Sequence, residues 1–446
     1  FDSHGHGYSA MAQWTRLHVD ADFTDHVAAF VEFDCINEWG TQFRSNYVTG
    51  ADFRNPGEVG LYQSYIDVQE LFGSPLALRV GRQELNFGSG WLVGPNDAGP
   101  APEWGLSFDG IRLTYSGEAF AADVWSTKLA ENSPLEQDGD VDFYGAYVTY
   151  TGVENLALDA YYLLVRDARA VEADTQDTPW SRLDILEHLL DMDSYGPTYL
   201  NTAGLRAAGE LNGFDYEAEV AYQWGEADQV GALFKSFFYG DNHANFDEWA
   251  ANVQLGYTFD VAWGPRLYIG YAYFGGEDNR DVTLWEMINP FTRPTASLSF
   301  NRLFSNWSYS GILDGTEFSN VHFYRAGGSV SPTESLELTL DVVSMRSDEA
   351  FGAPLHIKVG RWRIPVGNEY WSFLTTDNSK DLGWEMVLAA TYQYSEALYF
   401  SAGWDHLFVG PGLEQGNFNG ANGLDFNGGT GDDDADYFFF ETGISF

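Results

Sequence analysis

Apolar and polar residues alternate with a period of two along most of this chain. In the stretch 214–224, apolar residues occupy every second position, and acidic residues or glutamine occupy most of the positions between them. Similar alternation surrounds Val31, Leu158, Leu255 and Leu340. Because successive side chains of a β-strand point to opposite faces, each stretch predicts a strand with one apolar face and one polar face.

The connections between these stretches alternate between short and long. The short ones carry turn-forming residues, such as Ser116-Gly117 and Asn212-Gly213. The long ones lie near 39–57, 86–106, 130–139, 166–199, 226–247, 276–317, 347–381 and 409–435. A soluble β-domain rarely sorts its loops in this way, whereas outer-membrane barrels place short turns on the periplasmic rim and long loops outside.

These patterns predict an all-β fold, a transmembrane antiparallel β-barrel that forms a single domain over residues 1–446. The connections give about seventeen strands, and a further strand before Phe1 would make the even number, about 18, that bacterial barrels prefer. A count of about 16 is the alternative. The side chains expected to face lipid are Val31, Leu158, Val220, Leu255 and Leu340. A soluble β-protein whose last strand, 436–446, lies at a sheet edge remains the competing architecture.

Composition agrees with a membrane barrel. Aromatic residues make up 17% of the chain and concentrate near strand ends, which is typical of the girdles at the two membrane interfaces. No apolar run is long enough for a membrane-spanning helix. The single cysteine, Cys35, excludes an intramolecular disulfide. Phe1 is not an initiator residue, so the expectation is either that an export signal has been removed or that the sequence starts after the true beginning of the chain. The expected location is the bacterial outer membrane, in contact with lipid and lipopolysaccharide.

The net charge of −44 excludes a nucleic-acid-binding function, because phosphates need basic partners. It also predicts long acidic loops on a solvent-exposed surface that repels polyanions. Asp432, Asp433 and Asp434 end one such loop, and their carboxylates form a weak Ca²⁺ candidate. Because the loop lacks EF-hand spacing, a solvated acidic loop is the favoured interpretation, and no other cofactor is expected.

Three parts of the sequence resemble the alginate-export family of outer-membrane barrels. Residues 78–90 (LRVGRQELNFGSG) followed by 107–113 (SFDGIRL) are similar to a strand, a Gly-rich loop and a return strand of that family. Residues 382–392 with 403–412 resemble its late hairpin, and residues 15–22 with 29–33 resemble its second and third strands.

The resemblance implies a monomeric channel of about eighteen strands that passes carbohydrate or other solutes through a charged constriction. The residues it carries over are Arg79, Gln83 and Arg112, whose parity opposes the apolar face. Arg206, on the polar parity of its own strand, is a further candidate. An arginine in a lumen holds anionic solutes bidentately, although a structural ion pair with a carboxylate is an equally good interpretation of each. The Gly-rich loop, with Trp91 and Trp104, is expected to fold inward and narrow the pore.

Acidic residues dominate the rest of the predicted lumen parity. They are Glu32, Asp34, Asp67, Asp159, Glu217, Glu219, Asp341 and Glu385. A conduit for alginate would be markedly basic, so the sequence favours a porin for passive diffusion of small hydrophilic solutes, ions or oligosaccharides, with weak cation preference.

Two other functions stay open. One is an alginate-type exporter of anionic polysaccharide, and the other is a structural or receptor barrel that anchors surface or periplasmic protein partners. Conductance would separate the channels from the receptor. An enzyme is not expected, because the histidines are scattered and no G-x-S-x-G motif occurs. The residues leave the solute and the oligomeric state open.

Overall fold

A computed structural model describes residues 9–39, 59–97, 105–131, 140–168, 197–227, 243–276, 295–314, 317–350, 352–354, 356–359, 362–365, 375–377, 379–414 and 434–446. The strands are β1 (Ala12–Thr24), β2 (Val27–Glu38), β3 (Val59–Val68), β4 (Leu76–Gln83), β5 (Phe108–Ser116), β6 (Phe120–Ala130), β7 (Val141–Val153), β8 (Leu156–Asp167), β9 (Thr198–Leu211), β10 (Phe214–Ala227), β11 (His243–Thr258), β12 (Arg266–Phe274), β13 (Thr295–Leu298), β14 (Val321–Thr333), β15 (Leu336–Ser347), β16 (Gly352–Pro354), β17 (His356–Val359), β18 (Trp362–Pro365), β19 (Thr375–Asp377), β20 (Asp381–Gln393), β21 (Leu398–Val409) and β22 (Ala435–Ile444). The helical elements in this part of the chain are a 3-10 turn, Leu71–Gly73, and one α-helical turn, Pro411–Glu414. No helix among the described residues is long and apolar enough to cross a membrane.

One sheet contains eighteen of these strands. Seventeen of them are antiparallel to their neighbours in chain order, and the eighteenth, β13, runs parallel to β11 at its start. β16 pairs with β19, and β17 with β18, in two small separate ladders. The predicted all-β antiparallel fold is therefore confirmed. β1 and β22 are the two edges of the sheet and do not pair with each other, so closure into a barrel, like the single-domain assignment, stays a prediction.

Short turns connect the strands at one end of the sheet, and the long connections leave from the other end. We call these the turn end and the loop end. At the turn end, Asn212 and Gly213 join β9 to β10 with φ of 52° and 85°. Two consecutive left-handed residues fit the twist of a tight hairpin, and Asn-Gly tolerates them better than other pairs.

The two faces of the sheet differ as the alternation predicted. Leu158, Val220, Leu255 and Leu340 are exposed on the outer face, where Val31 is half-buried. The opposite, inner face buries polar side chains such as Asn252 and packs against two connecting segments. An apolar exposed face on a membrane protein is the one that contacts lipid.

A row of charges crosses the outer face near the loop end of β4–β8. Arg82, Asp109, Lys128, Asp142 and Arg166 face one another in register on successive strands, with alternating sign. The Arg82–Asp109 pair is 2.7 Å long, and the Lys128–Asp142 pair is 2.9 Å long. Charged side chains are costly in hydrocarbon, so this row marks the loop-end limit of the lipid-facing surface on these strands.

We expect Val220→Lys to destabilise the folded protein by about 2–4 kcal/mol, because Val220 lies exposed in the middle of β10, where a lysine would meet hydrocarbon. Urea unfolding in lipid vesicles measures the change. Gln254→Lys, on the inner face of the neighbouring strand β11, is the control and should cost much less. Equal losses for the two variants would contradict the assignment of the faces.

Candidate functional site

Two connecting segments pack against the inner face of the sheet at its loop end. We call them segment A, residues 84–97 after β4, and segment B, the described residues 299–314 and 317–320 before β14. Both bury large aromatic side chains, including Trp91 in segment A and Phe300 and Tyr309 in segment B. Segment A belongs to the Gly-rich loop that the sequence predicted to fold inward. Trp104 of that loop lies outside the described residues.

The two segments are joined to each other. The Gly94 amide donates to the Phe304 carbonyl at 2.8 Å, and the Phe304 amide donates to the Leu92 carbonyl at 3.0 Å. The Trp91 indole N–H donates to the Tyr309 hydroxyl at 2.9 Å. Because the segments share backbone hydrogen bonds, they form one obstruction on the inner face and not two independent loops.

Segment B is also fixed to the strands behind it. Gln223 on β10 exchanges two hydrogen bonds with the backbone of Asn301, at 2.7 and 2.8 Å. The Tyr309 hydroxyl donates to Asn252 Oδ1 on β11 at 3.0 Å. Burial raises the pKa of the Tyr309 phenol well above its usual range, so the group stays protonated and keeps donating.

A buried ion pair lies inside segment B. Arg302 Nη1 is 2.6 Å from Asp314 Oδ1, and the two side chains are only 1% and 0% exposed. The guanidinium lies 4.6 Å from the ring centre of Phe274 and 5.2 Å from that of Tyr309. Asp314 also accepts the backbone N–H of Tyr309 at 2.7 Å. This pair fixes the shape of segment B from within.

Arg206 is the centre of a carboxylate cluster on the inner face. Its Nη1 lies 2.7 Å from Asp159 Oδ2 on β8, and its Nε lies 3.0 Å from Glu217 and 3.8 Å from Glu219 on β10. The Tyr161 hydroxyl donates to Glu219 at 2.8 Å. The structure thus brings together four residues that sequence parity had placed separately. One guanidinium faces three carboxylates.

A second cluster with the same composition surrounds Arg16 on β1. Arg16 lies 2.6 Å from Glu32 on β2, 3.0 Å from Glu84 and 3.9 Å from Asp97 of segment A. Gln63 donates to Glu32 at 2.8 Å and so holds that carboxylate from a third strand. Glu32 was a sequence candidate, whereas its three ionic neighbours here were not.

Arg79 and Arg112 are direct cross-strand partners on β4 and β5. Each has its own carboxylate: Arg79 lies 2.8 Å from Asp67, and Arg112 lies 2.8 Å from Asp123. Both arginines are half-buried on the inner face, as their parity predicted. Gln83 shares that face but is fully buried, and its amide donates to the backbone at 3.3 Å, which leaves it no access to a solute.

The other predicted inner-face acids are not part of these arginine clusters, and each has a different set of neighbours. Asp34 is half-buried and lies opposite Gly60, where an added Cβ would be 2.6 Å from its carboxylate. Asp341 accepts a hydrogen bond from the Tyr268 hydroxyl. Glu385 accepts hydrogen bonds from segment B.

The acidic loop proposed to bind Ca²⁺ is described only at its end. Asp432 and Asp433 lie outside the described residues. Asp434 accepts the Val409 amide at 3.0 Å and lies 3.8 Å from His406. Within the described part of the chain, no group of three or more His, Cys, Asp or Glu side chains is arranged to hold a metal ion.

Sequence reasoning missed several of these residues for different reasons. Arg16 and Asp123 lie on the polar parity of predicted strands, so the rule that identified Arg206 would have found them too. Glu84 and Arg302 lie in aperiodic connections, where no periodicity reports which way a side chain points.

Seventeen antiparallel strands with an apolar outer face, and a charged inner face obstructed by two segments, give the architecture of an outer-membrane protein of the porin type. The family model for alginate export matches residues 4–410. The chain therefore belongs to the alginate-export family, which is a family of outer-membrane export proteins and not of enzymes, and its location is the bacterial outer membrane. No curated protein matches the sequence.

Two solved structures share the fold. OccK11 (OpdR) of Pseudomonas aeruginosa is 11% identical with a TM-score of 0.51, over 98% of this chain and 91% of that one. A double variant of OccD1 (OprD) is 12% identical with a TM-score of 0.50, over 97% of this chain and 89% of that one. At these identities the similarity establishes the fold alone.

Proposed function

We propose that this protein is a passive diffusion channel for small hydrophilic solutes and ions, with a weak preference for cations at low ionic strength. The observation that supports the proposal most directly is the charge of the two arginine clusters. Arg16 and Arg206 each face three carboxylates, so each cluster is negative when its acids are ionised. Carboxylates along a pore raise the local cation concentration and repel anions.

The arginines on this inner face are mostly engaged. Arg79 and Arg112 each bond one carboxylate, and Arg302 is buried with Asp314 inside segment B. A guanidinium already paired with a carboxylate offers fewer donors to a passing anionic sugar than an unpaired one.

The outer face is expected to contact lipopolysaccharide as well as lipid. We place the lipopolysaccharide on the loop-end side of the charged row that runs across the strands from Arg82 to Arg166.

Export of an anionic polysaccharide of the alginate type is the second candidate. Two observations favour it: the family to which the chain belongs, and the direct pairing of Arg79 with Arg112 across β4 and β5. Arginines on neighbouring strands of one face supply donors that match a carboxylate. Solute charge therefore separates the two proposals.

Reversal potentials in a planar bilayer with a low-salt gradient test the proposal. We expect cation selectivity that weakens in about 1 M salt, where the Debye length falls to about 3 Å. Glu84→Gln, in the Arg16 cluster, should reduce the selectivity, whereas Glu334→Gln, in the exposed turn between β14 and β15, should not. Anion selectivity would refute the proposal in favour of polysaccharide export, and a protein that folds but does not conduct would favour a receptor or anchoring barrel.

A further inference from the structure

Two carboxyl groups meet on the inner face beneath segment B. Glu385 on β20 and Asp405 on β21 are 0% and 2% exposed, and their carboxyl groups lie beside the same residue: a Cβ added at Gly311 would be 3.5 Å from Glu385 Oε1 and 2.2 Å from Asp405 Oδ2. Among the described residues, Asp405 Oδ1 has no hydrogen-bond partner. No Lys, Arg or His in the described part of the chain lies within ion-pair distance of either carboxyl group. Neither the proposed ion pathway nor the arginine clusters account for this pair.

Segment B is bound to the pair through its own donors. The Gly311 N–H donates to Glu385 Oε1 at 2.6 Å, and the Ser310 hydroxyl donates to Glu385 Oε2. An added Cβ at Gly311 would lie 2.2 Å from Asp405 Oδ2, so only glycine allows this approach. Both oxygens of Glu385 therefore accept from segment B, while Asp405 lies directly against its backbone.

The surrounding charged and titratable groups do not neutralise the pair. Tyr437 on β22 is the cross-strand partner of Asp405. On β14, Arg325 lies over the rings of Tyr268 and Tyr309, and in segment B Arg302 is paired with Asp314. His406, the neighbour of Asp405, bonds Asp436 instead.

Two buried carboxylates in contact cannot both be ionised without a large electrostatic cost, so such a pair retains one proton. Glu385 is the better anion, because it accepts two hydrogen bonds from segment B. The proton therefore belongs on Asp405, which then donates to Glu385. We propose that Glu385 and Asp405 form a proton-dependent latch that holds segment B on the inner face, and that loss of the shared proton releases the segment.

The sign of the effect follows from the charge. While the proton is present, the pair carries one negative charge and segment B stays bound. At higher pH both groups ionise, they repel each other, and water enters beneath Gly311. Because one proton is released, the ratio of open to closed segment should rise about tenfold per pH unit above the transition.

Hydrogen exchange of residues 308–314, read by mass spectrometry on the whole protein in detergent, tests the latch. Wild type and Asp405→Asn are compared at the same pH, so that intrinsic exchange rates cancel. We expect exchange in the wild type to accelerate as the pH rises, whereas Asp405→Asn stays protected, because its amide donates to Glu385 and does not ionise. Glu334→Gln, in the exposed turn between β14 and β15, is the control and should follow the wild type.

Two further outcomes complete the test. Glu385→Gln places an amide donor against the donors of segment B, so residues 308–314 of this variant should exchange rapidly at every pH. If Asp405→Asn does not fold, Glu385→Gln takes its place in the comparison with the wild type. Identical pH profiles for wild type and Asp405→Asn would overturn the latch. Conductance of the same variants in a planar bilayer, measured over the same pH range, tests the latch and the proposed channel function separately. Hydrogen exchange that depends on pH, with no conductance at any pH, would support the latch and refute the channel.

Discussion

We expect Arg302→Met to detach segment B from the inner face and to increase the conductance of the proposed channel. The substitution leaves Asp314 buried, 0% exposed, with its ionic partner at 2.6 Å removed. Breaking a buried pair from one side costs about 3–5 kcal/mol, because the remaining carboxylate stays buried after losing its bonded guanidinium. The substitution also removes the contacts of the guanidinium with the rings of Phe274 and Tyr309. Single-channel conductance and protease cleavage within 299–320 measure the result.

The control separates the charge from the packing. Arg302→Met combined with Asp314→Asn removes both charges, while the amide oxygen can still accept the Tyr309 N–H that Asp314 accepts at 2.7 Å. We expect this double variant to recover part of the protection from protease and of the original conductance, because the hydrogen bonds of Arg302 to the Trp307 and Phe318 carbonyls stay lost. If the single variant behaved like the wild type in both measurements, the ion pair would not be what holds segment B in shape.

The sheet was predictable because its cause is local and repeats. Each strand must present one face to lipid, so Val220 and Glu219 take opposite faces from their order in the sequence alone. The same rule put Arg79 and Arg112 on one face, and the single long loop between their strands, 86–106, put those strands side by side. The structure makes them direct cross-strand partners.

The shape of the obstruction was predictable only in part. The glycines of segment A indicated a loop that folds inward, but nothing in the sequence showed that it would pair with segment B, more than two hundred residues later. Arg16 meets Glu84 across a separation of 68 residues, through a contact that exists only once segment A has folded. Long-range contacts of aperiodic loops depend on the completed fold, which a periodic pattern does not encode.

The alternation of faces along a strand also does not show how accessible a side chain on one face is to a solute. Gln83 and Arg79 lie on the same face of the same strand, yet Gln83 is fully buried while Arg79 is half-buried. Gln83 is the last residue of β4, directly before segment A, whereas Arg79 lies in the middle of the strand. Resemblance to the family suggested a solute-binding role for Gln83, and the structure gives it hydrogen bonds to the backbone instead.

Arg206→Met should be the most damaging single change on the inner wall. It leaves the carboxylates of Asp159, Glu217 and Glu219 together without a cation, and Asp159 and Glu219 are buried. Removing the one partner of buried charges costs about 3–5 kcal/mol. We therefore expect a large fall in the midpoint of urea unfolding in lipid vesicles, smaller at low pH, where the acids bind protons.

Arg206→Lys distinguishes charge from geometry. A lysine restores the positive charge, but its single ammonium cannot copy the two separate contacts, Nη1 to Asp159 at 2.7 Å and Nε to Glu217 at 3.0 Å. Its stability should lie between those of the wild type and Arg206→Met. If Arg206→Met unfolded at the wild-type urea concentration at neutral pH, the cluster would already be neutralised by protons, and the negative lumen on which the cation preference rests would lose this contribution.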